Sequence, residues 1–148
     1  MAGKKDFKVS RKADEMTIFL YSTMENIDKA DHETRIFLNE NELQSEAFSV
    51  CLCLREGLIN AVTHGHKNDS SKIVRYSLKR TDRKLIMEIE DEGEGFEWKG
   101  VEKREPVFES DHGRGLAIIR KYFTRYEYNE KGNKILLVKY LNKKEGPN

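Results

Sequence analysis

Two short segments near the middle of the chain constrain its fold more than any other feature. Residues 73–80 read IVRYSLKR and residues 84–91 read KLIMEIED. Both alternate apolar and polar side chains, the period of a strand with one face on a core and the other in water. Only Thr81-Asp82-Arg83 separates them, so they read as one antiparallel hairpin. Any fold for this chain must extend that hairpin into a sheet and cover its apolar face.

The flanking sequence supplies both. Residues 15–23 (EMTIFLYST) are rich in β-branched and aromatic types and predict a strand. Residues 25–40 predict a helix, with Ile27, Ala30, Thr34, Phe37 and Leu38 at three- and four-residue spacing, and 41–43 a turn. A second helix is predicted from Gln44 to about His64, with Phe48, Cys51, Leu52, Ile59 and Val62 as its apolar stripe and Gly65 as its stop. A third runs from about Gly113–Leu116 to Phe123, with Leu116, Ile119, Tyr122 and Phe123 on one side. Strands at 124–129 and 134–141 follow, joined by the turn NEKGN. Residues 92–113 lack sustained periodicity and hold Gly93, Gly95, Gly100 and Pro106. A stretch of that length inside a compact domain is usually functional. Short turns between strands imply mostly antiparallel pairing. The fold class is therefore an α/β (α+β) two-layer sandwich, with helices on one face of a mixed, mostly antiparallel sheet. The domain spans 15–141. It is preceded by a flexible basic segment, 1–14, read as a frayed tail or a loosely held edge strand, and followed by a disordered tail, 142–148.

Composition narrows the function classes. The 148 residues carry 27 Lys plus Arg against 26 Asp plus Glu, a net charge of +1. That balance argues against direct nucleic-acid binding through the phosphate backbone. Cys51 and Cys53 stand two apart on a helix and do not face each other, so they read as free thiols of a reducing compartment. No apolar stretch approaches the roughly 20 residues of a membrane span, and the N-terminus lacks a signal-peptide core. The expected location is the cytoplasm, with no membrane association.

Three clusters carry chemistry. In EGLINAVTHGH, residues 56–66, Glu56 and Asn60 share a helix face and His64 continues the line one turn later. DEGEG, residues 91–95, follows a strand, where glycines let a ligand approach the backbone. HGRGLAIIR, residues 112–120, opens a helix with two glycines, so free N–H groups converge as a ready anion site. Singly, each has a plain alternative: a solvated helix face, a tight turn, a glycine-rich linker. The phosphate-binding GxxxxGK[ST] and GxGxxG patterns are missing, as are EF-hand, zinc-spacing, GxSxG and protein-kinase signatures.

Taken in order, the clusters resemble the N box and the two glycine boxes of the GHKL (histidine-kinase-like) ATPase superfamily, whose Bergerat-type ATP-binding fold is such a sandwich. Within it the chain is most similar to bacterial anti-sigma-factor serine/threonine kinases, which are single domains of this size. The resemblance implies a nucleotide site for ATP or ADP with Mg2+. Glu56 is the implied catalytic base, and Asn60 the magnesium ligand. Asp91 is the implied acceptor for the adenine amino group. His64, Gly65, Gly93, Gly95, Gly113, Arg114, Gly115, Leu116 and Asn133 complete the implied nucleotide-binding set. Lys99, Lys103 and Arg104 fall in the implied lid. Three positions depart from the relatives' habit: Asp111 where an arginine is frequent, Asn133 where threonine is, and Gly57 where alanine is. A helix-interior glycine costs about 1 kcal/mol against alanine, which points to a close contact at Gly57.

The implied function is phosphorylation of an anti-anti-sigma (STAS-type) protein and sequestration of a sigma factor in a partner-switching circuit, with a homodimer possible. Two other readings stay open: a non-catalytic, nucleotide-dependent protein-binding regulator, and the ATPase fragment of a two-component-like system. The near-zero net charge also hides segregation. Glu88, Glu90, Asp91, Glu92 and Glu94 crowd residues 86–95 with no base among them. A triphosphate beside that run requires most of these side chains to point away and positive charge to intervene.

Overall fold

A computed structural model describes residues 7–65, 69–93 and 111–141, excepting the side chains of 64–65 and 111–116. Six strands form one sheet: β1 (Phe7–Lys12), β2 (Glu15–Tyr21), β3 (Ile73–Arg80), β4 (Lys84–Glu90), β5 (Arg125–Tyr128) and β6 (Lys134–Tyr140). Their order is β1-β2-β3-β4-β6-β5. Every pairing among the described residues is antiparallel, so the expected mixed sheet is antiparallel throughout this part. Of the two expectations for residues 1–14, the edge strand holds for Phe7–Lys12. The tail 142–148 lies outside the described residues.

The register explains the core. Met16 pairs with Leu78, Leu78 with Met87, and Met87 with Leu137. A second row runs through Ile18, Tyr76, Ile89 and Ile135. All eight side chains are buried, because strand alternation puts every second residue on one face. The helical layer covers that face. It consists of α1 (Met24–Glu40), a single 3-10 turn at Gln44–Glu46, α2 (Ala47–Asn60) and α3 (Asp111–Tyr122). Thr23 caps α1, its Oγ1 accepting from the Asn26 N–H at 3.1 Å. The predicted α1 stripe is buried as read. At its centre the Thr34 and Tyr76 hydroxyls lie 2.6 Å apart and tie helix to sheet.

The predicted stripe of α2 needs correction. Its buried face is Val50, Cys51, Cys53, Leu54, Gly57 and Leu58, whereas Phe48 is 67% exposed. Phe48 instead meets the Tyr122 ring edge-on at the helix layer's surface. Hydrophobicity alone misassigned it, since the face is set by which residues share phase with the sheet contact. Gly57 is a point of close approach in that contact. A Cβ built there would stand 2.5 Å from Ile89 Cδ1. The glycine thus lets α2 lie directly on the end of β4, which is the close approach its position predicts.

Polar links fix the layers at the edges. Arg11, an inward-facing residue of β1, bonds Glu33 at 2.6 Å and Glu40 at 3.1 Å on α1. Lys139 of β6 reaches the Tyr122 carbonyl at 2.8 Å and Glu46 at 3.2 Å. Asp31 is buried and accepts from Arg35 Nε at 2.7 Å and Arg55 Nε at 3.1 Å, joining α1 to α2.

Candidate functional site

The helix α2 presents two unlike polar positions side by side. Arg55 is tied down by Asp31 and, at 2.5 Å, by Asp28. The next residue, Glu56, and Asn60 one turn on lie on a half-buried face with Leu52, Ile59 and Thr63. Among the described residues neither the Glu56 nor the Asn60 side chain makes a hydrogen bond or ion pair. The helix ends at Asn60 and passes into a widened turn, Ala61–Gly65, where Thr63 Oγ1 donates to the Ile59 carbonyl at 2.8 Å. The regular helix predicted through His64 is corrected accordingly: the four-residue spacing from Asn60 does not continue unchanged to His64. Widened turns of this kind recur at functional sites. The side chains at 64 and 65 are outside the described set.

The second element is the end of β4, where Gly57 brings α2 down onto Ile89, two residues before Asp91. The Asp91 N–H donates to the Asn133 carbonyl at 2.9 Å, one step past the β4–β6 ladder. Its Oδ1 accepts from the Gly93 N–H at 2.7 Å. Burial pushes the Asp91 carboxyl up to about 6, opposed by the Gly93 hydrogen bond; Glu90 and Glu92 raise it further and Lys131 lowers it. The acidic run resolves as its charge demands. Glu88 and Glu90 project from the outer sheet face, Glu88 with Arg75 at 3.5 Å and Lys134 at 3.6 Å. Glu92 Oε1 accepts from the Ile73 N–H at 3.2 Å. Gly95, Glu94, Lys99, Lys103 and Arg104 lie outside the described residues.

Asn133 is brought to Asp91 as expected, but its contact is with the main chain. Its Nδ2 donates to the Asp91 carbonyl at 2.8 Å, and its Oδ1 accepts from Asn129 Nδ2 at 2.8 Å. Asn129 escaped the sequence reading. Its Oδ1 takes the N–H groups of Gly132 at 2.8 Å, Asn133 at 3.1 Å and Lys134 at 3.2 Å. The available signal was its place at the head of NEKGN, since asparagine often folds a turn around its own side chain. Gly132 has φ of 85° there, a left-handed conformation that suits glycine.

The third cluster opens α3, two residues earlier than predicted, at Asp111. Gly113 falls in the first turn, among the N–H groups that no earlier helical carbonyl takes. Arg114, Gly115 and Leu116 follow inside the helix. At its far end α3 carries Arg120 and Lys121, placed to favour the dipole. A surface hollow of about 450 Å³ beside that end is lined by Arg120, Phe123, Thr124, Arg125 and Tyr126, and holds none of these site residues.

The donor set suits a magnesium ion that arrives on phosphates. Among the described residues no group of three or more His, Cys, Asp or Glu could hold a metal ion. Asn60 offers one neutral amide oxygen, and Mg2+ is commonly held by one or two protein oxygens plus substrate phosphates. Both thiols are inert by comparison: burial pushes Cys51 up to about 11 and Cys53 up to about 12. No helix among the described residues is long and apolar enough to cross a membrane.

A half-buried acid stands at the end of β4, and the helix that Gly57 seats against Ile89 carries an unengaged Glu and Asn. Residues 20–139 match the family model described as histidine kinase-like ATPase domain, and the chain belongs to that family. It is similar to the anti-sigma F factors of Clostridium perfringens. It is 28% identical to that of strain 13 and 30% identical to that of strain SM101. Each match runs over 105 residues, 66% of this chain and 74% of the relative.

Proposed function

We propose that the chain is a Mg-ATP-dependent serine/threonine protein kinase and anti-sigma factor. It would act in the cytoplasm, phosphorylate an anti-anti-sigma (STAS-type) protein and sequester a sigma factor as a homodimer. The observation that carries this reading is the pairing of a pinned Asp91 at the β4 end with a free Glu56 and Asn60 on the helix that Gly57 seats there. The likeness to anti-sigma F factors supports the choice of partners.

In this reading Asp91, an acceptor when ionised, takes a hydrogen bond from the adenine amino group and disfavours a carbonyl at the same edge. The Gly113 N–H and the α3 N-terminus face the phosphates. Asn60 holds magnesium through its amide oxygen. When bound, the ion would supply neutralising charge to the phosphates. Glu56 accepts the proton of the attacking serine hydroxyl, a role that needs an unpaired carboxylate within reach.

Incubation with γ-labelled ATP and a candidate STAS protein tests this directly. Acid-stable label on the STAS protein is the expected result. Nucleotide binding without transfer would favour the second reading, a nucleotide-dependent binding module. Asp111 at a position where relatives frequently carry arginine is the feature that favours it.

A further inference from the structure

We propose that Asn129 and Asn133 form a two-amide splint whose task is to fix Asp91 for base recognition, making Asn129 a positioning residue for nucleotide choice. The inference rests on the reading of Asp91 as the adenine acceptor. Asn133 grips both main-chain groups of Asp91: its carbonyl takes the Asp91 N–H at 2.9 Å and its amide donates to the Asp91 carbonyl at 2.8 Å. A residue held at both its N–H and its C=O keeps a defined Cα–Cβ direction. The Asp91 carboxylate is then aimed by one further bond, from the Gly93 N–H at 2.7 Å.

The orientation of the Asn133 amide is itself dictated. Asn129 Oδ1 faces three N–H donors, at Gly132, Asn133 and Lys134. Its Nδ2 must therefore be the end that meets Asn133, and it finds Oδ1 there at 2.8 Å. That leaves Asn133 Nδ2 for the Asp91 carbonyl. Only this assignment pairs every donor with an acceptor. The turn is closed independently by the Asn129 N–H to the Lys134 carbonyl at 3.0 Å. Asn129 thus does two separable things: its oxygen folds the turn, and its NH2 orients Asn133.

Asn129→Asp separates them, because the carboxylate keeps the acceptor for the three turn N–H groups and loses the NH2. The Asn133 amide is then free to turn its oxygen toward the Asp91 carbonyl, which breaks the grip. ADP and IDP affinities are measured by calorimetry at pH 8, with thermal melts, for the native chain, Asn129→Asp, Asn129→Ser and Asn133→Ala. IDP carries a carbonyl where ADP carries the amino group, so the ADP:IDP ratio reads base recognition. Lost folding weakens both ligands alike. The expected result is an ADP preference in the native chain that falls roughly threefold to tenfold in Asn129→Asp and Asn133→Ala, the size of one misplaced hydrogen bond. Asn129→Ser, which retains an acceptor for the turn, serves in place of any variant that melts below the assay temperature. An unchanged ratio in folded Asn129→Asp or Asn129→Ser overturns the splint while leaving the adenine site intact. A native chain with no preference for ADP overturns the adenine reading, and the splint with it.

Discussion

The two halves of the site are built to opposite rules. At the β4 end, Asp91 is held through both main-chain groups and one carboxylate oxygen, and its holder Asn133 is held in turn by Asn129. On α2, Glu56 and Asn60 have no polar partner among the described residues, although the adjoining Arg55 is fully engaged by Asp28 and Asp31. The helix is anchored at Arg55 and bare one residue later. Base recognition needs a preorganised acceptor, because an unplaced one spends binding energy on its own ordering. In the proposed function Glu56 and Asn60 would complete their contacts only with substrate present, which fits their lack of a hydrogen bond or ion pair among the described residues.

Substitution on the bare half gives the largest expected effect and the cleanest division between the halves. Glu56→Gln should lower phosphoryl transfer by about 10²–10⁴-fold, the usual contribution of a general base. ADP affinity should change by less than about twofold, since no bond of the pinned half is touched. Single-turnover transfer and calorimetry on the same preparation check both. A matched loss of affinity would mean that Glu56 is a binding group and that the two halves are not separate.

Asp91→Asn addresses the pinned half and should remove most of the ADP:IDP preference. A hydrogen bond to a charged acceptor contributes about 1.5–3 kcal/mol, so a tenfold to hundredfold change is expected by order of magnitude. Transfer at saturating ATP should survive. The same variant should leave α2 in place, so Mg2+ dependence is the control.

A smaller effect is expected from pH. The Asp91 carboxyl sits at about 6 in the fold against an ordinary 3.8. The folded state therefore binds more protons than the unfolded chain between those values. The contribution of Asp91 to stability is greatest at the acid end, falls as pH rises through that interval, and is level above about 6. Asp91→Asn should remove this slope, so it should gain stability relative to the native chain more at pH 7 than at pH 4.5, by thermal melting. The ADP:IDP ratio should rise as pH increases through about 6, because the ionised carboxylate is the discriminating form. Phosphate titration in the same range cancels in the ratio.

Strand period and turn chemistry made the sheet legible: IVRYSLKR and KLIMEIED pair in the hairpin their alternation requires. The stripe of α1 was equally legible, because Ile27, Ala30, Phe37 and Leu38 are buried with Thr34 in the same phase; the buried Asn26 and Asp31 lay outside that pattern. On α2 the two diverge. Phe48 is apolar and exposed, while Gly57 is buried for its lack of a side chain, which no hydrophobicity pattern registers. In the site, Asp91 and Asn133 were readable as neighbours only through the family resemblance, since β4 and β6, which bring them together, are not consecutive in the chain. Asn129 was not, because its action is a chain of amide orientations that exists only once the turn is folded.

Gly57 joins the two halves, and its replacement should have the smallest effect of all. Asn60 and Glu56 flank it on α2, and its neighbour across the interface is Ile89, two residues from Asp91. Gly57→Ala gains about 1 kcal/mol in helix propensity. It also sets a Cβ 2.5 Å from Ile89 Cδ1, and that methyl must turn away. Forcing such a rotamer costs about 0.5–1.5 kcal/mol. The two terms nearly cancel, so the melting temperature should stay within about 5 °C of the native value. The partition of the small residue is what matters. If Ile89 alone yields, both transfer and the ADP:IDP ratio remain native. If α2 lifts instead, transfer falls while the ratio holds, because the splint anchors Asp91 from the β5–β6 side. A variant that lost the ratio and kept transfer would reverse the assignment of which half is held.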